Sequence, residues 1–310
     1  MPDLLVLSEA EVEQLLELAS LAGALRAALR SISSATASVP PRIGASSRSG
    51  LLGAMPGFVP DLGLGAKLVS IFRGNHAGAV PGHQALVALF DPDDGTPLAL
   101  LGGTHITGMR TAMTSAIAAA ALARPGATTL AVLGSGVQAE AHLRALPHLL
   151  SFTEIRVAAR NRRRAAELAG GARIVDSFEA AVHGADVVCL CTDADEPVIA
   201  RDWLAPGAHV GSVGSGAELD PATVAAGTVF VESRASATLP FPAGAPELAG
   251  RDPQTVTEVG EVLLGTHPGR TSDTEITVYK STGHAAEDLA AAAVVYRAAR
   301  AAGVGTVVPL

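Results

Sequence analysis

The sequence predicts an α/β chain in two parts, an α+β half followed by a parallel sheet covered by helices. Three observations predict it. From Thr129 onward, strand-like and helix-like runs alternate: TLAVLG, VQAEAHLRALPHLL, EIRVAAR and NRRRAAELAGG. Such alternation builds parallel strands joined by helices that cover both faces. Before it, KLVSIF, HQALVALF and PLALLGG read as strands, the last two joined as a hairpin by DPDDGTP. At the far end, HAAEDLAAAAVVYRAARAAG has the spacing of a closing helix.

The elements follow in order. Ser8 and Glu11 in SEAE form a capping-box pattern, opening a helix expected to run to about Arg30. Up to residue 63, Ser, Pro and Gly are frequent, and PPRIG and AMPG are expected to punctuate short strands. After the hairpin, THITGMRTAMTSAIAAAALA is a long Ala-rich helix. In the second half ARIVD, ADVVCLCT, AHVGSVG, TVFVES and EITVYKS supply further strands.

Composition narrows the function classes. A chain of 310 residues has room for a sizeable core in one or two domains. A net charge of −8 and 3% aromatics leave neither the basic footprint nor the stacking residues of a nucleic-acid binder. No uncharged apolar run approaches the ~18 residues of a membrane span. The opening MPDLLVLSEAEVEQ is acidic and lacks the pattern of a secretory signal. A cytoplasmic location without membrane partners is therefore expected. Cys189 and Cys191, two apart, share a strand face and read as small core hydrophobes. No metal-ligand spacing occurs.

Gly134-Ser135-Gly136-Val137-Gln138-Ala139 follows a strand and opens a helix. Glycines serve the tight turn and the approach of backbone to a pyrophosphate, and the small Ala139 allows close helix–strand packing. The helix start adds free N–H groups and positive dipole. This is a Rossmann-type dinucleotide loop in its proper context. The next strand ends in Arg160-Asn161-Arg162-Arg163-Arg164, where an NAD-preferring fold would carry an acid. Arginine there suits a 2′-phosphate. The expected cofactor is therefore NADPH/NADP, held mainly by Arg160 with Asn161 or Arg162 assisting.

Three cations in the first half lie in non-basic surroundings: Arg42 in VPPRIGAS, Lys67 in GAKLVSIF and Arg110 in HITGMRTAMTSA. Only two of the 22 basic residues are lysines, Lys67 and Lys280. A guanidinium cannot give up its proton near neutral pH, whereas an ammonium can.

The blocks PPR, AKLVSIF, ALLGGTHITGMRTA, VLGSGVQA and EITVYKSTG, in this order over nearly the whole chain, resemble the ornithine cyclodeaminase/mu-crystallin family. The resemblance implies a substrate-binding and dimerisation domain (residues 1–118 plus 286–310), completed by the C-terminal helix, and a Rossmann domain (119–285). It implies a homodimer, and redox chemistry at the α-carbon of imino or amino acid carboxylates. It assigns Arg42, Lys67 and Arg110 to the substrate carboxylate, and Arg110 and Thr111 to the neighbourhood of the cofactor; two cations beside it would lower the Lys67 pKa, which makes Lys67 the candidate catalytic residue. Thr192 would touch the adenosine side, while Ser281 to Gly283 would line the nicotinamide.

Departures from the cyclodeaminase pattern refine this. The family's amine-handling aspartate aligns with Ser212, and its side-chain-holding glutamate falls near Gly53. A cofactor-region threonine corresponds to Gly82, and the usual F-P-G-N is Phe72-Arg73-Gly74-Asn75. These changes point away from ornithine and toward the ketimine-reducing branch, with Met55, Phe72 and Arg73 shaping specificity. The expected reaction is NADPH-dependent reduction of imino or ketimine carboxylates, or its reverse. A cyclodeaminating lyase with bound NAD and a non-catalytic NADPH and small-acid binder are the alternatives. His83, near the substrate half, stands out among the histidines as a possible acid–base group. Glu218 and Asp220 read as caps of the next helix. Lys280 reads as a surface ion-pair partner.

Overall fold

The computed structural model describes residues 3–72, 74–75, 80–168 and 170–310. Arg73 and His76 lie outside them. In chain order the elements are β1 (Asp3–Leu7), α1 (Glu9–Leu15), α2 (Leu18–Ser33), β2 (Ile43–Ser46), β3 (Leu51–Val59), β4 (Gly63–Ile71), β5 (His83–Phe90), β6 (Pro97–Gly102) and α3 (Thr104–Leu122). Then come β7 (Thr129–Leu133), α4 (Val137–Leu149), β8 (Glu154–Ala158), α5 (Arg162–Leu168), β9 (Arg173–Ile174), α6 (Phe178–Val182), β10 (Val187–Leu190), β11 (His209–Ser212), α7 (Pro221–Ala226) and β12 (Thr228–Val231). The last are α8 (Arg234–Ala237), β13 (Thr257–Glu258), α9 (Val259–Leu264), β14 (Thr277–Lys280), α10 (Ala285–Ala302) and β15 (Thr306–Pro309). They form two compact units, Met1–Arg110 with His284–Leu310, and Thr111–Gly283.

The first unit is a seven-stranded mixed sheet in the order β15-β1-β6-β5-β4-β3-β2. The expected β5–β6 hairpin is present, antiparallel from Leu86↔Gly102 to Phe90↔Pro97. AMPG does not interrupt a strand. It runs through the middle of β3, which pairs with β4 over its whole length. The expected single N-terminal helix is two, because Glu17 caps a fresh start by accepting from Ala19 N and Ser20 N. β1 and β15 escaped the sequence reading.

On the inner face of this sheet the odd-numbered residues from Gly53 to Val59 in β3 and from Gly65 to Val69 in β4 are buried. There Gly57 and Gly65 stand opposite each other. A Cβ on Gly57 would lie 3.4 Å from Leu289 of α10, and one on Gly65 2.8 Å from it. Glycine at both positions lets α10 settle against the strands. The outer face is different. Leu52, Leu68 and Leu86 project there from adjacent strands, 51%, 45% and 47% exposed.

The second unit is an eight-stranded sheet, order β13-β12-β14-β11-β10-β7-β8-β9, in which every pairing is parallel. Counting from β7, its first five strands take the order 3-2-1-4-5 of a dinucleotide-binding sheet. The central strands β10, β11 and β14 are buried throughout. β10 is a continuous apolar run, VVCL, whereas β11 (HVGS) and β14 (TVYK) also bury polar side chains. Cys189 and Cys191 are buried here, and burial pushes the Cys189 thiol up to about 12 and Cys191 well above its ordinary value. Both remain protonated packing residues. Among the described residues no helix is long and apolar enough to cross a membrane.

Candidate active site

Lys67 lies at the centre of β4, between Met55 of β3 and Val87 of β5. All three side chains face inward and are buried. The strand alternation that hides Val69 and Gly65 therefore also hides an ammonium. Its partner comes from the far end of the chain: Lys67 Nζ donates to Asp288 Oδ1 at 2.9 Å. A weaker contact of 3.5 Å reaches Thr107 Oγ1 on α3. Arg110, one turn further along α3, donates from Nε to the same Asp288 oxygen at 2.9 Å and from a terminal nitrogen to Glu287 Oε2 at 2.7 Å. Glu287 also accepts from His284 N at 2.9 Å, closing the first turn of α10.

Arg42, just before β2, belongs to this cluster. Its charge acts on both Lys67 and Asp288. Its Cδ lies 3.6 Å from where a Cβ on Gly53 would stand. The three cations read as carboxylate ligands are thus brought together, and they already surround a carboxylate of the chain itself. Three cations against two buried carboxylates leave one net positive charge. Burial and the Arg110 charge lower the Lys67 pKa to about 8 against the opposing pull of Asp288. Burial raises the Asp288 carboxyl, but Arg110 and Lys67 outweigh it and hold it below its ordinary value. Lys67 is a group that exchanges its proton close to neutrality. His83 is exposed at the start of β5.

The glycine loop lies between β7 and α4, at the carboxyl end of the first strand, where the strand order reverses. Gly134 has φ +134, and a Cβ there would collide with the Cys191 carbonyl at the end of β10. A Cβ on Gly136, the N-cap of α4, would meet nothing within 4 Å. The Gln138 side-chain oxygen is buried with no hydrogen-bond partner among the described residues. Val137 is exposed and Ala139 is fully buried, the latter giving α4 its close seat. A tight turn, open approach to backbone N–H groups and a helix N-terminus fit a dinucleotide pyrophosphate.

At the end of β8 the three named residues behave differently. Arg162 pairs with Asp176. Asn161 Oδ1 accepts from Arg164 N at 3.1 Å and so starts α5. Arg160 is exposed and has no polar partner among the described residues.

Three buried carboxylates shape the neighbouring strand ends. Glu218 accepts from Thr192 N (3.2 Å), Thr192 Oγ1 (2.6 Å), Ser212 Oγ (2.9 Å) and Gly214 N (2.6 Å). Glu232 accepts from Ser281 Oγ at 2.6 Å and from the backbone N–H of Thr282 and Gly283 at 3.2 Å each. Glu247 accepts from Lys280 Nζ at 3.1 Å.

These contacts correct two readings. Asp220 does cap α7, accepting from Ala222 N and Thr223 N, but Glu218 ties loops together instead. Lys280 is no surface partner: it is 1% exposed and also donates to Ser212 Oγ and Gly214 O. Ser212, expected near the substrate, is fully buried, its hydroxyl given to Glu218 and receiving from Lys280. Thr192 and Ser281 turn their hydroxyls to carboxylates of the chain, and Thr111 is buried on α3. Asp288, Glu287, Glu232 and Glu247 were not singled out beforehand. Adjacent acids in the alanine-rich HAAEDLAAAA were the available signal for the first two.

The profile of the ornithine cyclodeaminase/mu-crystallin family matches residues 3–303. The chain is 41% identical over 256 residues to the ketimine reductase mu-crystallin of Mus musculus, covering 80% of each. Its fold is similar to that of a Thermococcus litoralis Δ1-pyrroline-2-carboxylate reductase in complex with NADH and L-proline, with a TM-score of 0.91, 30% identity and 98% and 99% of the two chains covered. It is also similar to an archaeal alanine dehydrogenase dimer with bound NAD, with a TM-score of 0.90, 28% identity and full coverage of both chains.

Proposed function

Since the chain belongs to the ornithine cyclodeaminase/mu-crystallin family, we propose that it is an oxidoreductase that reduces imino or ketimine carboxylates with NADPH, or runs the reverse oxidation. The observation that carries this reading is the buried Lys67–Asp288–Arg110 cluster. It joins carboxylate-binding cations to a lysine that can exchange a proton. When bound, the cofactor supplies hydride chemistry. The chain's own part is to orient the substrate and manage charge and protons. Guanidinium forks at Arg42 and Arg110 fix a carboxylate, and this orientation holds the adjacent carbon for reaction. Lys67 Nζ supplies the proton that turns the imine into the iminium, or takes it back in reverse.

The preference for NADPH rests on Arg160, exposed after β8 where an acid would suit NAD. A homodimer is supported by Leu52, Leu68 and Leu86 on the open sheet face, since large exposed apolar patches mark contact surfaces. Leu68→Glu is expected to shift the protein to monomers in sedimentation, and an unchanged dimer would exclude that face. A cyclodeaminating lyase is disfavoured by Gly53, which offers no side chain beside Arg42 to hold a second amine.

The test compares NADPH and NADH oxidation with cyclic ketimine carboxylates, alongside ammonia release from ornithine with NAD. NADPH-preferring ketimine turnover supports the proposal. Ammonia release without ketimine turnover replaces it by the lyase.

A further inference from the structure

Asp288 uses only half of its carboxylate. Oδ1 receives both Lys67 Nζ and Arg110 Nε, at 2.9 Å each. Oδ2 is buried with no hydrogen-bond partner among the described residues, and the side chain is 0% exposed. A buried carboxylate oxygen without a donor is costly, so native structures rarely leave one. The residue that could relieve it is not nearby in sequence: the rest of that turn of α10 is Ala285, Ala286 and Glu287. Lys67 and Arg110 hold the side chain from one side. Its second oxygen therefore has a fixed position beside the cations proposed to bind the substrate carboxylate.

We propose that Asp288 Oδ2 accepts a hydrogen bond from the N–H of the bound iminium or amino acid, making Asp288 the residue that selects C=N over C=O substrates. The inference rests on the imine-reductase reading above. A substrate that is an iminium and a carboxylate at once is zwitterionic. Its carboxylate suits Arg42 and Arg110, and its N–H⁺ suits a fixed anion a short distance away. A ketone has no such proton. Its oxygen also gains negative charge as hydride arrives, and a carboxylate beside it opposes that change. The same device rejects a keto acid and admits its imine, as expected when a buried polar group loses its partner in the wrong complex.

Two measurements decide it. The first uses the wild-type protein with NADP⁺ and calorimetric binding of L-proline against tetrahydrofuran-2-carboxylate, which has oxygen in place of the ring N–H. L-proline is expected to bind at least about tenfold more tightly; equal affinities overturn the proposal. The second compares wild type with Asp288→Asn on a cyclic ketimine carboxylate and on a 2-keto acid. In the variant the ratio of ketimine turnover to keto acid turnover is expected to fall about a hundredfold. Equal proportional losses on the two substrates overturn the selective role and leave Asp288 as support for Lys67. If the variant does not fold, the wild-type affinity ratio still decides. Wild-type protein that binds L-proline selectively but reduces no ketimine sinks the function reading while keeping the contact. Wild type that does neither overturns both.

Discussion

Each unit buries a lysine ion pair, Lys67–Asp288 in the first and Lys280–Glu247 in the second, but the two treat their other buried carboxylates differently. In the first, Lys67 and Arg110 bridge Asp288 and Glu287 while the charge of Arg42 acts on Lys67 and Asp288, and the result keeps a net positive charge and a lysine with a loosened proton. In the second, Glu218 and Glu232 spend their oxygens on backbone N–H groups and hydroxyls at strand ends. Among the described residues neither carboxylate is in an ion pair; each fixes the shape of a loop. Burying an ion is expensive, so each arrangement needs a reason. On the proposed function, the first unit's charge would meet a charged ligand, and the second unit's carboxylates would hold backbone where a cofactor would lie.

The largest effect is expected where the first arrangement is broken. Lys67→Ala should lower kcat for ketimine reduction by about a thousandfold. Lys67→Arg should do nearly as badly despite keeping the charge, because guanidinium holds its proton. Full activity in Lys67→Arg would reduce Lys67 to a carboxylate ligand.

Next comes pH. Reduction needs Lys67 protonated, so its rate should fall above pH about 8, while amino acid oxidation rises through the same region. Unfolding does not explain the fall. The folded value lies below the ordinary 10.5, so the unfolded chain binds more protons between about 8 and 10.5. Stability from this group therefore rises with pH across that window. A reduction rate that stays flat past pH 9 would contradict the assignment.

Arg160→Ala probes the second unit. It should weaken NADPH binding by about tenfold and leave NADH unchanged, as for loss of one charged hydrogen bond. Equal effects on both cofactors would move the 2′-phosphate contact elsewhere. The smallest expected change is in Glu232→Gln, a severalfold rise in the KM for cofactor with ketimine KM little changed. An equal rise in both constants would erase the distinction between the units.

Each half of this comparison was legible to a different depth. The glycine loop and its strand order could be read because period and turn chemistry are local: Gly134 is required by a positive φ and a carbonyl that fills the space of a Cβ. The cations could be read because Arg42, Lys67 and Arg110 interrupt apolar sequence. Their partners could not. Asp288 is 221 residues from Lys67, and nothing in a helical period says which strand it will face. Glu218 misled for the same reason. It stands beside Asp220, a genuine cap, and only the fold turns its oxygens toward Thr192, Ser212 and Gly214. Lys280 ends a strand whose neighbours are buried, which should have argued against a surface role. The division of the N-terminal helix hung on one side-chain cap, Glu17, within continuous helical periodicity.

The most direct test of the account is NADPH oxidation by wild type and by Lys67→Ala at saturating NADPH and a cyclic ketimine carboxylate. The account predicts turnover by wild type, and a variant that still binds NADPH normally but is slowed by about a thousandfold. Wild-type turnover that survives the loss of Lys67, or its absence from both proteins, would contradict it.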